Sequence, residues 1–99
     1  MAALARVELT QLAVDDLETL IRTHSLPADT KERVKASLRP LERFPRLGPE
    51  LSGRYSGQRF LLGPWRWLLL VYSFDQANDR VTVVSVQDAR SSGAATGTR

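Results

Sequence analysis

Arg59, Arg66 and Arg90 fall on or beside three consecutive strand-like stretches between Gly57 and Arg90, and the most apolar run of the chain lies among them. A guanidinium is a planar fork of donors that grips phosphate or carboxylate at two points and keeps its charge at any accessible pH. Strand side chains alternate between two faces. Arginines at strand starts and ends can therefore converge on one side of a sheet while apolar positions bind the other. The chemistry this pattern points to is anion recognition, phosphate above all, on a cationic surface built on a rigid sheet. Each arginine also has an ordinary reading. Arg59 and Arg66 can be held by a local carboxylate, and Arg90 can simply open the C-terminal tail.

Other residues carry weaker signals. Trp65 and Trp67 fall on one face of the expected central strand, where they either stack on bases or, as is commoner, cover the core. Arg66 is then expected on the opposite face, in phase with Leu68, Leu70 and Tyr72. His24 reads as a helix-end residue near the last carbonyls. Lys31, Arg33, Lys35 and Arg39 read as the solvated face of a helix. The spacing of Gly48, Gly53, Gly57 and Gly63 marks turns and makes no phosphate loop.

Composition narrows the classes. Ninety-nine residues, 42% of them hydrophobic, allow one domain whose every helix and strand serves a single core. That domain is expected over residues 1–90, with 91–99, small and polar, as a disordered tail. With no cysteine and a single histidine, disulfides and thiolate sites are excluded, and no metal or cofactor is expected. The Leu68–Val71 run is too short to span a bilayer, and no basic segment followed by a long apolar stretch opens the chain. A soluble, unprocessed, cytoplasmic protein is the expectation. The net charge of +3 comes from 14 Lys and Arg against 11 Asp and Glu, with arginine dominant; it fits either an anionic partner or an ordinary solvated surface.

The elements that must position the arginines follow from periodicity. Val7 and Leu9 alternate with Arg6 and Glu8 as a short strand. Thr10 offers an N-cap to an amphipathic helix carrying Ala13, Leu17, Leu20 and Ile21 and ending near His24. Asp29 and Glu32 resemble a capping box for a second helix, through Val34, Leu38 and Leu41, which Pro40 kinks or ends. The short connection between them favours an antiparallel helical hairpin. After a turn-rich segment from Phe44 to Ser56, strands are expected at Gln58–Leu62, Trp65–Phe74 and Arg80–Val86, turned at Gly63-Pro64 and at 75–79. The order β-α-α-β-β-β gives an α+β fold. The helical hairpin packs on one face of a small antiparallel sheet, the N-terminal strand joins its edge, and the other face is left partly open.

Taken in order, the N-terminal strand, the two helices, Phe44-Pro45-Arg46-Leu47-Gly48, Leu51-Ser52-Gly53, Gly57-Gln58-Arg59, Gly63-Pro64-Trp65-Arg66 and a Val-rich strand leading to Arg90 resemble the RelE/ParE superfamily of toxins from bacterial type II toxin–antitoxin modules. The resemblance implies a small toxin that inhibits growth and is neutralised by a cognate antitoxin, with which it forms a hetero-oligomer. It leaves the target open. RelE-like members enter the ribosome and cut mRNA, whereas ParE-like members inhibit DNA gyrase without catalytic residues. A decayed, non-toxic homologue that still binds antitoxin is a third alternative.

On the RelE-like reading the chain is an endoribonuclease, an mRNA interferase. Arg66, through Trp65-Arg66, matches the arginine opening the central strand, and Arg90 matches the arginine after the last strand; these are the catalytic candidates. Arg59 and Arg66 are the RNA-binding candidates. The chain departs from the pattern at Leu61, where a second basic residue is common, and at Leu69, where a tyrosine is common. No tyrosine or histidine follows Arg90. RNA cleavage needs 2′-hydroxyl activation, stabilisation of the phosphorane charge and protonation of the leaving oxygen, and arginines readily supply only the second.

Overall fold

The computed structural model describes residues 4–91 and 93–96. Its elements are β1 (Arg6–Leu9), α1 (Gln11–His24), α2 (Thr30–Leu38), β2 (Arg59–Leu62), β3 (Leu68–Asp75) and β4 (Arg80–Asp88). The four strands form one sheet in the order β1-β4-β3-β2. β2, β3 and β4 make the expected antiparallel meander, and β1 joins its edge parallel to β4, with Val7 opposite Val81.

Local chemistry sets the helix ends. The Thr10 hydroxyl accepts the Ala13 N–H at 3.0 Å and donates to the Val84 carbonyl at 3.2 Å, so one side chain caps α1 and ties it to β4. At the other end Ser25 adopts the left-handed conformation, φ 50°, and lets the chain leave. The second helix starts without the expected capping box. Asp29 makes no cap bond, because its carboxylate is taken by Arg33 one turn on, at 3.0 Å. Pro40 acts as expected: α2 stops at Leu38 and a 3-10 turn over Arg39–Glu42 follows, with Leu41 fully buried.

β1 is only four residues long and ends opposite Val83, which leaves the outer edge of β4 without a strand partner beyond that point. α1 completes it. The Asp16 carboxylate accepts the Val86 N–H at 3.1 Å, as the Thr10 hydroxyl serves Val84 nearer the helix start. Buried N–H groups need such partners.

The run Leu68–Tyr72 is fully buried, as befits a strand covered on both faces. Leu68, Leu70 and Tyr72 face the helices, packing with Ala13, Leu17, Val34, Leu38 and Leu41. Leu69 and Val71 face the other way. That second face, expected to be partly open, is covered by Leu51 with Tyr55 and by Ala94 with Ala95. Of the tail assigned to 91–99, Ser91 and residues 93–96 are described, and Ala94 is buried against the sheet; Ser92 and residues 97–99 lie outside the described residues. An irregularity between Val71 and Tyr72 shifts the β3–β4 register. Val83 and Val86 therefore both face the helices although three residues apart.

The central strand begins later than its apolar run suggests. Trp65, Arg66 and Trp67 belong to the turn after β2, where Gly63 donates to the Leu68 carbonyl at 2.8 Å and Leu68 to the Trp65 carbonyl at 3.0 Å. Pro64 has no N–H to give a ladder, so regular pairing starts at Leu68. Trp65 and Trp67 still share a face, but it is the face of Leu68 and Leu70, and Arg66 is carried out exposed on the turn instead of lying in phase with Leu68.

Candidate functional site

The Ala89 N–H donates to the Trp67 carbonyl at 2.7 Å, which joins the end of β4 to the β2–β3 turn. Arg66 and Arg90 are each next in sequence to a partner of that bond. Two of the three predicted arginines are thus brought to one end of the sheet. Arg66 is exposed, and among the described residues no carboxylate pairs with it.

Arg90 is held on two sides. Its Nε and Nη2 each donate to Asp88 at 2.9 Å, one to each carboxylate oxygen, and its backbone N–H also donates to Asp88, at 2.9 Å. The guanidinium lies 4.6 Å from the centre of the Trp67 ring, a cation–π contact. Hydrogen bonds from Arg90 hold the Asp88 carboxyl at a pKa of about 2, well below the usual carboxylate range.

Trp67 is the hub of this end. Trp65 stacks on it with ring centres 6.0 Å apart and planes 17° apart, and His24 meets it at 4.9 Å, tilted by 45°. His24 comes from the last turn of α1, which runs along β4, and its Nε2 lies 3.7 Å from the Asp88 carboxylate. The chain has no histidine after Arg90, yet the fold delivers an imidazole to the same cluster from a helix more than sixty residues away in sequence. Both tryptophans are half-buried and pack against the helix-side core, so they cover it while staying partly exposed. Sequence reasoning did not single out Asp88. The available signal was its place two residues before Arg90, close enough for its carboxylate to take the Arg90 backbone N–H and guanidinium across the turn that ends β4.

Arg59 is in a different place. At the far end of β2, opposite Tyr72, its Nη1 donates to the carbonyls of Gly48 at 2.7 Å and Arg46 at 3.3 Å, and its Nη2 lies 3.8 Å from Glu50. This guanidinium fastens the 46–50 loop to the sheet. Tyr72 is fully buried, with its hydroxyl accepting the Gly48 N–H at 3.0 Å, and burial raises its pKa. It does not stand on the sheet surface, where a proton-transfer group for a bound RNA would have to be. Gly48 itself is required, since a Cβ there would collide with the carbonyl oxygen of Phe60.

Chemically, the end of the sheet offers one exposed guanidinium, a second one paired with a carboxylate, an imidazole and an indole stack. That set fits contact with a phosphate and an adjoining flat ring. Among the described residues, no group of three or more His, Asp or Glu side chains is placed to hold a metal ion. No helix is long and apolar enough to cross a membrane.

No protein-family model matches the sequence, and no curated protein matches it closely. Solved structures do resemble it. A chain of the chromosomal ParDE toxin–antitoxin system of P. aeruginosa superimposes with a TM-score of 0.68 at 10% identity, covering 90% of this chain and 100% of that one. The YoeB/ParE toxin of Agrobacterium tumefaciens gives 0.65 at 22% identity, over 84% and 96% of the two chains. The toxin–antitoxin complex RelBE2 of Mycobacterium tuberculosis gives 0.59 at 22% identity, over 89% and 94%. Over most of its length the chain has the fold of the ParE, RelE and YoeB toxins.

Proposed function

We propose that this chain is the toxin of a type II toxin–antitoxin module, held inactive by a cognate antitoxin, and that it acts in the cytoplasm on translation by RNA cleavage. The observation that supports the RNA reading is that Arg66 and Arg90 are next in sequence to Trp67 and Ala89, the bonded pair at one end of the sheet, where Arg90 lies over Trp67 of the Trp65–Trp67 stack. In this reading Arg66 and Arg90 stabilise the charge on the scissile phosphate, and the indole stack lies where an adjoining base would pack. Arg59 has the lesser role of adding charge along the RNA backbone, because its guanidinium already holds the 46–50 loop. The ribosome or the RNA contributes the proton transfers that the arginines cannot.

Several surfaces suit the antitoxin. A groove beside β1 is lined by Val7, Leu9 and Leu38 with Lys35 and Arg39, two cations against the single carboxylate of Glu42, which fits an acidic, amphipathic segment that folds on binding. Phe44 and Leu47, 62% and 54% exposed, add apolar surface of the sort a partner covers.

The second reading is non-enzymatic inhibition of DNA gyrase. Two observations favour it: Tyr72 is buried away from the surface, and Arg90 is already neutralised by Asp88. One experiment separates the two. The chain is induced without its antitoxin, mRNA 5′ ends are mapped, and plasmid supercoiling is measured in the same cells. New 5′ ends that vanish in Arg66→Ala support cleavage. Loss of supercoiling with no new ends supports the gyrase reading, and unaffected growth indicates a non-toxic homologue.

A further inference from the structure

The Arg90 guanidinium presents two forked edges to an oxyanion, and one of them, Nε with Nη2, is filled by Asp88 through paired bonds of 2.9 Å. The same carboxylate accepts the Arg90 backbone N–H, so the pair is tied at three points. Asp88 is the more enclosed of the two, 20% exposed against 60% for Arg90. A phosphate arriving at Arg90 therefore meets a cation whose charge is already balanced and whose outward edge alone is free. Asp88 also has somewhere else to turn, since His24 Nε2 stands 3.7 Å from its Oδ2.

We propose that Asp88 sets the affinity of this end of the sheet for phosphate, acting as a resident counter-ion that a phosphodiester must displace from Arg90. The proposal rests on the reading that Arg90 contacts a phosphate, and it adds a control on that contact. In the free chain the ion pair keeps Arg90 oriented over Trp67 but weakly attractive to anions. A ligand that brings further contacts, to Arg66 and to the indole stack, makes the exchange favourable. A bare phosphate, with no such contacts, does not. Asp88 thereby selects for a strand of nucleic acid over small phosphates.

The test uses the full chain and a short fluorescein-labelled single-stranded RNA carrying 2′-O-methyl groups, so that no cleavage confuses binding. Anisotropy titrations compare the parent chain with Asp88→Asn, Arg90→Ala and the double variant. Asparagine keeps one oxygen for an Arg90 N–H, removes the charge and turns the second acceptor into a donor, so the paired grip on the guanidinium is released. Asp88→Asn is expected to tighten binding about fivefold or more, the effect of removing one neighbouring unit charge at a solvated site, and to have no effect once Arg90 is alanine. Inorganic phosphate is expected to compete better against the labelled RNA on Asp88→Asn than on the parent. Unchanged or weaker RNA binding by Asp88→Asn overturns the proposal, as does equal tightening in the Arg90→Ala background. A damaged fold does not produce tighter binding that depends on Arg90. If Arg90→Ala alone binds the RNA as tightly as the parent, the phosphate reading of Arg90 fails, whatever Asp88→Asn does.

Discussion

The Tyr72 hydroxyl and the Gly48 N–H form a buried hydrogen bond of 3.0 Å that pins the 46–50 loop to the middle of the sheet. Tyr72→Phe leaves that N–H without a partner in a place water does not reach, which costs about 1–3 kcal/mol. For a domain of this size the melting temperature is expected to fall by roughly 4–8 °C per kcal/mol. Thermal melts followed by circular dichroism check this. Toxicity of the variant at a permissive temperature should persist, and its complete loss in a well-folded Tyr72→Phe chain would give the hydroxyl a role beyond holding the loop.

Arg59 and Arg66 separate a structural arginine from a free one. Arg59→Ala removes donors to the Gly48 and Arg46 carbonyls, so it is expected to destabilise by about 1–3 kcal/mol. Arg66→Ala, on an exposed turn, should stay within about 0.5 kcal/mol of the parent. Urea denaturation gives both numbers. Under the RNA reading the order reverses for activity: Arg66→Ala loses ribosome-dependent cleavage with its stability intact. Full cleavage by Arg66→Ala removes it from the site.

The Asp88–Arg90 pair predicts a particular acid response. Asp88 ionises at about 2 in the folded chain, against about 3.9 in an unfolded one. A lowered folded pKa stabilises the fold above the unfolded pKa, and the contribution is lost as pH falls through the folded value. The stability difference between the parent and Asp88→Asn should hold constant from neutral pH down to about 4 and then shrink toward pH 2. Denaturant melts at a series of pH values test it, and a difference that stays flat across the whole range would sink the assignment.

What the sequence made legible was whatever a single element decides for itself. Thr10 with Ala13, Leu17 and Ile21 carries both a cap and a spacing, so α1 could be read to its end at His24. The start of β3 could not, because Trp65, Trp67 and Leu68 are equally apolar whether they lie in a turn or a ladder, and only the bonds of Gly63 and Leu68 decide. Strand alternation gives the side of the sheet on which Tyr72 lies and not what covers it; the helices do, and Gly48, distant in sequence, takes up its hydroxyl. His24 and Asp88 meet because α1 is laid along the orphaned edge of β4, a consequence of β1 stopping at Leu9. No periodicity links positions 24 and 88. That Arg66 and Arg90 lie at one end of the sheet depends on the long-range backbone bond between Ala89 and Trp67, and Arg59 is apart from both because it starts β2 opposite Tyr72.

An antitoxin that occupies the groove beside β1 should act as a stabilising ligand. A partner that binds only the folded chain adds RT ln(1 + [L]/Kd), about 2.7 kcal/mol at one hundred times Kd, which corresponds to a rise of roughly 10 °C or more in the melting temperature. Lys35 and Arg39 lie one turn apart at this groove, with Val7, Leu9 and Leu38 beside them, so their charge reversal removes attraction to an acidic segment while leaving the apolar lining in place. Lys35→Glu with Arg39→Glu is expected to leave the melting temperature of the free chain nearly unchanged and to cut the antitoxin-induced rise by several degrees. Salt should mimic this loss in the parent, since solvated charges are screened over about 10 Å at 0.1 M ionic strength. An antitoxin that neutralises the toxin without raising its melting temperature, or one indifferent to both reversals, would place the contact elsewhere on the fold, with the exposed Phe44 and Leu47 the next surface to test.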